Sequence, residues 1–126
     1  MATTTAVMPT KEIAKKLRKY CEKGDFETAH RELYAKDAVS IEPSASEGFE
    51  KETHGLKAII EKGKKWNEMV SESHAMEASD PIVAGDSFAI TLRMDVTMKK
   101  RGRMDVTELC VYHVKDGKII SEQFFM

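Results

Sequence analysis

The sequence predicts an α+β domain, with helices in the first half and an antiparallel sheet in the second. Three observations carry this. Apolar residues recur at helical spacing in three separate runs before about residue 70. Beyond that point they alternate at period two, most clearly as Phe88, Ile90, Leu92, Met94, Val96 and Met98, with Ala89, Thr91, Arg93, Asp95 and Thr97 between them. The alternating runs are separated by short turn signals, Gly85-Asp86, Lys100-Arg101-Gly102 and Asp116-Gly117, which fold each strand back on its neighbour. No linker or low-complexity stretch divides the 126 residues, a length that suits one domain.

Each element has a local reason. In TKEIAKKLRKYCEKG, Ile13, Leu17, Tyr20 and Cys21 share one helical face; Thr10 is the expected cap and Gly24 the expected left-handed stop. Asp25 then caps a second helix over FETAHRELYA, whose face is Phe26, Ala29, His30, Leu33 and Tyr34. Joined only by Gly24-Asp25, the two helices fold back on each other. DAVSIEP reads as a short strand closed by Pro43, and the polar SASEGFEKETHG as a loop. A third helix runs from Gly55 to about Val70 with Leu56, Ile59, Ile60, Gly63, Trp66, Met69 and Val70 as its stripe. The strands that follow are SESHAMEA, PIVA, SFAITLRMDVTM, RMDVTELCVYHV and IISEQFFM. Residues 1–8 read as a disordered tail and 9–126 as the domain.

The pentapeptide RMDVT occurs twice, at Arg93–Thr97 and Arg103–Thr107. A five-residue copy is too short for a solenoid, whose units span roughly 20–50 residues, and paired strands with one buried face need like patterns. A loop at Lys100-Arg101-Gly102 sets Met98 opposite Met104, Val96 opposite Val106, Leu92 opposite Cys110 and Ile90 opposite Tyr112. A loop one residue shorter or longer would turn the second strand over. In this register the Asp116-Gly117 turn sets Ser121 across from Tyr112, Gln123 from Cys110 and Phe125 from Glu108. The buried face then holds Glu108, Tyr112, Ser121 and Gln123 among Phe, Ile, Leu and Met. A carboxylate there is costly unless paired, protonated or facing a wet cavity, so a pocket is expected. The opposite face carries Leu109, Val111, Ile120 and Phe124, a patch that predicts a homodimer through the outer face of the sheet.

Composition excludes several classes. A net charge of −1 gives no global attraction to nucleic acid or anionic lipid. The basic run Lys99–Arg103 reads as a charged hairpin tip, with no interleaved aromatics for stacking bases, so no nucleic-acid partner is expected. No apolar stretch is long enough to cross a bilayer, so no membrane partner is expected either. Cys21 and Cys110 lie in apolar patterns without a CxxC or Cys/His cluster, which predicts a reducing, cytoplasmic setting. No metal-ligand spacing is present, so neither metal nor cofactor is expected.

The order of elements resembles the cone-shaped superfamily of ketosteroid isomerase, the SnoaL-like polyketide cyclases and nuclear transport factor two. The residues that carry it are Gly24-Asp25, LYAKDAVSIEP (Leu33–Pro43), THGLKAI (Thr53–Ile59) and VKDGKIISEQFF near the end. The resemblance implies three helices packed on a curved antiparallel sheet that forms a conical, cystatin-like pocket for a small apolar ligand. It implies no single chemistry, since members include isomerases, cyclases, dehydratases and non-catalytic binders. The isomerase's base carboxylate, directly before the proline that ends the first strand, falls on Glu42 before Pro43. Its oxyanion-hole tyrosine and aspartic acid fall on Leu17 and near Cys110, neither of which donates a strong hydrogen bond, so ketosteroid isomerisation itself is not expected.

The catalytic candidates are therefore Glu42 as general base, with Glu108 or Tyr112 polarising a carbonyl oxygen. The bland readings stand beside them: Glu42 as a solvated strand end, Glu108 exposed by a flipped register, Tyr112 as a core tyrosine. Candidate lining residues are Leu17, Tyr20 and Trp66 from the helices. Phe88, Leu92, Met94, Cys110 and Gln123 line it from the sheet. The expected function is an isomerase, cyclase or dehydratase acting on an apolar carbonyl compound. The alternative is a dimeric binding module with the same pocket and no chemistry.

Overall fold

The computed structural model describes residues 7–46 and 48–126. Most of the expected tail, residues 1–6, lies outside the described residues; Met8 packs on the core. Helix α1 (Thr10–Lys23) starts one position earlier than Thr10 could cap it: the Pro9 carbonyl accepts from the amides of Glu12 and Ile13 at 3.0 and 3.1 Å. It stops at Gly24, whose φ of 70° lets the Asp25 amide reach back to the Tyr20 carbonyl at 2.9 Å. Asp25 caps α2 (Phe26–Leu33) by accepting from the Thr28 amide.

Strand β1 (Tyr34–Ile41) begins three residues before DAVSIEP. Tyr34 leaves the helix because it pairs with Ile119, so sheet pairing overrides the helical period. The predicted loop contains a short strand, β2 (Glu52–His54), hairpinned on β1 through Val39–His54 and Ile41–Glu52. Three polar residues carry no alternation, which is why the sequence hides it. Helix α3 (Leu56–Met69) leads into β3 (Val70–Ala78), β4 (Ile82–Ala84), β5 (Ser87–Met98), β6 (Gly102–Lys115) and β7 (Lys118–Phe125).

The sheet order is β2-β1-β7-β6-β5-β3, with β4 also on β5. All pairs are antiparallel except β1 with β7, which run parallel. The expectation of a purely antiparallel sheet is corrected here. Strands β1 and β7 share no hairpin; α3 and five strands intervene, so no turn fixes their relative direction. Register shifts in β1, β3 and β7 bend the sheet. Its concave face packs Phe88, Ile90, Leu92, Cys110, Tyr112 and Ile119 against Ile13, Leu17 and Cys21 of α1, Leu33 of α2 and Ile59 of α3.

The β5–β6 loop has three residues, as expected, but they are Lys99, Lys100 and Arg101, so Gly102 at φ 78° pairs with Met98. Each partner therefore moves by two: Val96 faces Met104, Leu92 faces Glu108, Ile90 faces Cys110 and Phe88 faces Tyr112. A shift of two preserves the faces. The β6–β7 turn is the expected Asp116-Gly117, with φ values of 52° and 76°. Here one extra residue in β7 between Ile119 and Ser121 reverses the faces beyond it: Tyr112 pairs with Glu122 and Cys110 with Phe124. Ser121 and Gln123, expected inside, pair with His113 and Val111 on the outer face. Phe124, expected outside, packs on the core.

Candidate active site

The concave face is built in rows that cross the strands. Ser40 of β1 faces Glu122 of β7, which faces Tyr112 of β6, which faces Phe88 of β5. The next row runs Phe124, Cys110, Ile90, and the one after it Glu108, Leu92, Ala78. Glu42 follows Ser40 by two residues and is fixed at the strand end, its amide donating to the Lys51 carbonyl at 2.7 Å. Lys62 of α3 reaches down onto this surface: its Nζ donates to Ser40 Oγ at 2.6 Å and to Glu42 Oε2 at 2.9 Å. Its side chain is 16% exposed and that of Glu42 27%.

Behind Ser40 the chain of hydrogen bonds continues inward. Ser40 donates to Glu122 Oε2 at 2.6 Å, and the Tyr34 hydroxyl donates to Glu122 Oε1. All three residues are buried, Glu122 at 3% exposure. A buried carboxylate is tolerated only when its lone pairs are filled; two hydroxyls fill them, and Lys62 supplies the positive charge one bond further out.

Glu108 sits beside this network with no cationic hydrogen-bond partner among the described contacts; only the Cys110 thiol approaches it, at 3.9 Å. Burial, reinforced by the charges of Glu42 and Glu122, pushes its carboxyl up to about 7, against a smaller downward pull from Cys110 and Lys62. Near neutrality Glu108 can therefore hold or release a proton. The thiols are different: burial raises Cys21 to about 12 and raises Cys110 further, so neither is a thiolate nucleophile. Among the described residues no group of three or more His, Cys, Asp or Glu side chains could hold a metal ion.

The structure brings Glu42 and Glu108 to one surface and sorts the other expected site residues. Leu17, Phe88, Leu92 and Cys110 are buried in the core, and Met94 is half-buried against it. Tyr112 is 2% exposed with its ring stacked on Phe88 at 4.7 Å, so it belongs to the closed part of the core. Tyr20 turns away: its hydroxyl bonds Glu32, which Lys16 also holds. Trp66 is half-buried on α3. Gln123 lies on the outer face for the reason given above.

Sequence reasoning missed Ser40, Lys62, Glu122 and Tyr34. Two of these left a signal. Ala38, Ser40 and Glu42 alternate on one side of β1, and Lys62 lies three residues after Ile59 and four before Trp66, within the apolar stripe of α3. Glu122 depends on the bulge in β7, which has no mark in the sequence.

A helix-covered, strongly bent sheet with polar groups on its concave side defines the cystatin-like, nuclear transport factor two-like class. The SnoaL-like domain family model matches residues 8–126, and the chain belongs to that family. A proposed SnoaL-like polyketide cyclase from Mesorhizobium loti is 37% identical, with a TM-score of 0.85 over 94% of this chain and 100% of that one. A protein of unknown function with a cystatin-like fold from Xanthomonas campestris is 21% identical, with a TM-score of 0.75 over 94% of this chain and 90% of that one. A protein described as an isomerase from Bacillus subtilis is 22% identical, with a TM-score of 0.69 over 93% of this chain and 88% of that one. No curated protein matches the chain. No helix among the described residues is long and apolar enough to cross a membrane.

Proposed function

We propose that this protein is an isomerase or cyclase that moves a proton on a small, largely apolar carbonyl compound by general acid–base catalysis. Glu42 is the base and Glu108 the acid. The observation that carries this reading is the unlike environment of two carboxyls on one concave surface: Glu42 is held by an ammonium at 2.9 Å, while Glu108 has no such partner among the described residues. A carboxylate paired with a cation, beside a carboxyl that burial raises, is suited to proton abstraction and return. Phe124, Met94 and Met76, half-buried against the core, add apolar surface to the concave face.

Proton–deuterium exchange at carbons next to the carbonyl, followed by NMR across a panel of hydrophobic ketones in heavy water, tests the reading. Glu42→Gln should abolish the exchange, and an unchanged rate sinks the assignment. We propose further that the protein works as a homodimer through the outer sheet face, where Leu109 and Phe125 pair and are 42% and 45% exposed. A cytoplasmic setting belongs to the same proposal, supported by two buried free thiols, Cys21 and Cys110.

A further inference from the structure

Removing a proton next to a carbonyl leaves negative charge on the oxygen, and a fast enzyme must meet that charge with a donor already in place. By the resemblance, the positions where the isomerase keeps such donors fall on Leu17 and near Cys110, and Tyr112 is shut in the core against Phe88. Lys62 of α3 reaches the concave surface from the helical side, between Ser40 and Glu42. Its ammonium carries three hydrogens; one goes to Ser40 and one to Glu42, and the nitrogen stands 5.8 Å from the centre of the Phe124 ring.

We propose that Lys62 is a catalytic residue of this site, its ammonium donating a hydrogen bond to the enolate oxygen formed when Glu42 takes the proton. This rests on the carbonyl reading above. In the step, the C–H bond breaks and its proton goes to Glu42. The electron pair forms a C=C bond, and the carbonyl π pair moves to oxygen. Lys62 keeps all three hydrogens. Negative charge passes from Glu42 to the new oxyanion, and the ammonium between them stays paired throughout. Its grip on Glu42 slackens as that carboxyl is neutralised, so the interaction is stronger in the transition state than before it. Glu108 then gives its proton to carbon, collapsing the enolate to the carbonyl; Glu42 releases its proton to water and Glu108 takes one up from water, which returns the pair to its starting state.

The buried chain behind Lys62 now has a use. Ser40 accepts from Lys62 and donates to Glu122, which Tyr34 also holds, so the ammonium is fixed through a rigid, fully bonded base. A lysine serving only as a surface ion pair would need none of this depth.

The probe is 4-nitrophenol, whose ionised form is an oxyanion with its own visible absorbance. Glu42→Gln supplies the neutral base of the intermediate, and it is compared with Glu42→Gln/Lys62→Met and Glu42→Gln/Lys62→Arg, each first shown to melt cooperatively. Lys62→Gln replaces Lys62→Met should the latter not fold. The expected result is bound phenolate in Glu42→Gln, with ionisation displaced toward lower pH by about tenfold or more, lost with methionine and partly kept with arginine. Equal ionisation with and without the Lys62 ammonium overturns the role of Lys62 and leaves phenol binding at the concave surface standing. Failure of every variant to bind the phenol overturns both, and the ketone exchange measured on the unaltered protein then shows independently whether the acid–base site survives.

Discussion

Arg103 of β6 grips Asp95 of β5 with both ends of its fork, Nε to Oδ1 at 3.0 Å and Nη2 to Oδ2 at 2.9 Å, and Arg93 grips Asp105 in the same way at 3.0 and 2.8 Å. The two aspartates stand directly opposite each other in the register, an arrangement that is repulsive when left bare. Each is neutralised by the arginine of the other copy of RMDVT. The pentapeptide is doubled because a hairpin centred on three loop residues exchanges the two copies, so one local solution serves both strands. Arg103 also holds the Asp95 carboxyl below the usual carboxylate range, chiefly through this hydrogen bonding.

Arg103→Ala should therefore lower the melting temperature, because Asp95, at 6% exposure, loses its bidentate partner and is left facing Asp105 with Arg93 at 3.8 Å. Asp95→Ala/Arg103→Ala should recover part of the loss, giving a clear coupling in a double-mutant cycle. A depressed carboxyl contributes stability above its unfolded value and loses it as pH falls through its folded one. The difference between the wild type and Arg103→Ala should accordingly vanish in acid. Additive effects at pH 7 would reduce the crossed pairs to surface ion pairs of little consequence.

The same hairpin separates what the sequence makes legible from what it hides. Period-two alternation over Phe88–Met98 is strong enough to fix the strand, its buried face and, through the doubled pentapeptide, the parity of its partner. An error of two residues in register left Glu108 on the correct side, because faces repeat every second residue. In β7 one inserted residue moved Gln123 out and Glu122 in. Bulges have no compositional mark in a run such as IISEQFF, where both faces mix polar and apolar residues. Glu42 was visible through its place before Pro43. Lys62 was not singled out, because a lysine on an amphipathic helix ordinarily points to water; only the carboxylate and hydroxyl waiting on β1 turn it inward.

Glu108 gives a prediction of opposite sign to that for Asp95. Its carboxyl is raised to about 7 in the fold from an ordinary value of 4.5, so the folded state favours the protonated form. Its contribution is fully present below the unfolded value and is lost as pH rises through about 7. The loss is on the order of 2–3 kcal/mol for a shift of this size in a largely buried group. Glu108→Gln should therefore melt higher than the wild type at pH 8.5 and lose that advantage near pH 4.5. His30 pulls the other way, since burial lowers it and its Nδ1 has no hydrogen-bond partner among the described residues, so acid weakens both proteins together. The comparison between them isolates Glu108. A Glu108→Gln difference that does not change with pH would show that the carboxyl is well solvated.

Glu122 is the most buried of the site carboxylates, and its removal should be the most damaging to stability. Glu122→Ala leaves the hydroxyls of Tyr34 and Ser40 without an acceptor inside the core, a loss of about 2–4 kcal/mol in urea denaturation. Tyr34→Phe removes one donor and leaves the other, and should cost about half as much. If Tyr34→Phe is neutral, the tyrosine contributes packing alone and the chain of hydrogen bonds ends at Glu122.

Phe124 and Phe125 are neighbours in sequence with opposite fates, and that contrast tests the proposed dimer. Phe124 packs on the concave core beneath Lys62, whereas Phe125 faces out beside Leu109. The outer face continues through Val111, which pairs with Ala89, and on to Ile82, 77% exposed on β4. Such a row of apolar side chains across adjacent strands is what a second sheet can cover, because non-polar area removed from water contributes roughly 25 cal/mol per Å². Leu109→Lys should therefore turn the dimer into a folded monomer, read by light scattering and analytical sedimentation, with the far-ultraviolet circular dichroism unchanged. Phe125→Ala should weaken assembly while leaving the site chemistry intact. Phe124→Ala should instead lower thermal stability by about 2–4 kcal/mol and disturb Lys62 without dissociating the dimer. Wild-type protein that sediments as a monomer at micromolar concentration would remove the dimer, and the outer face would then require another partner to cover it.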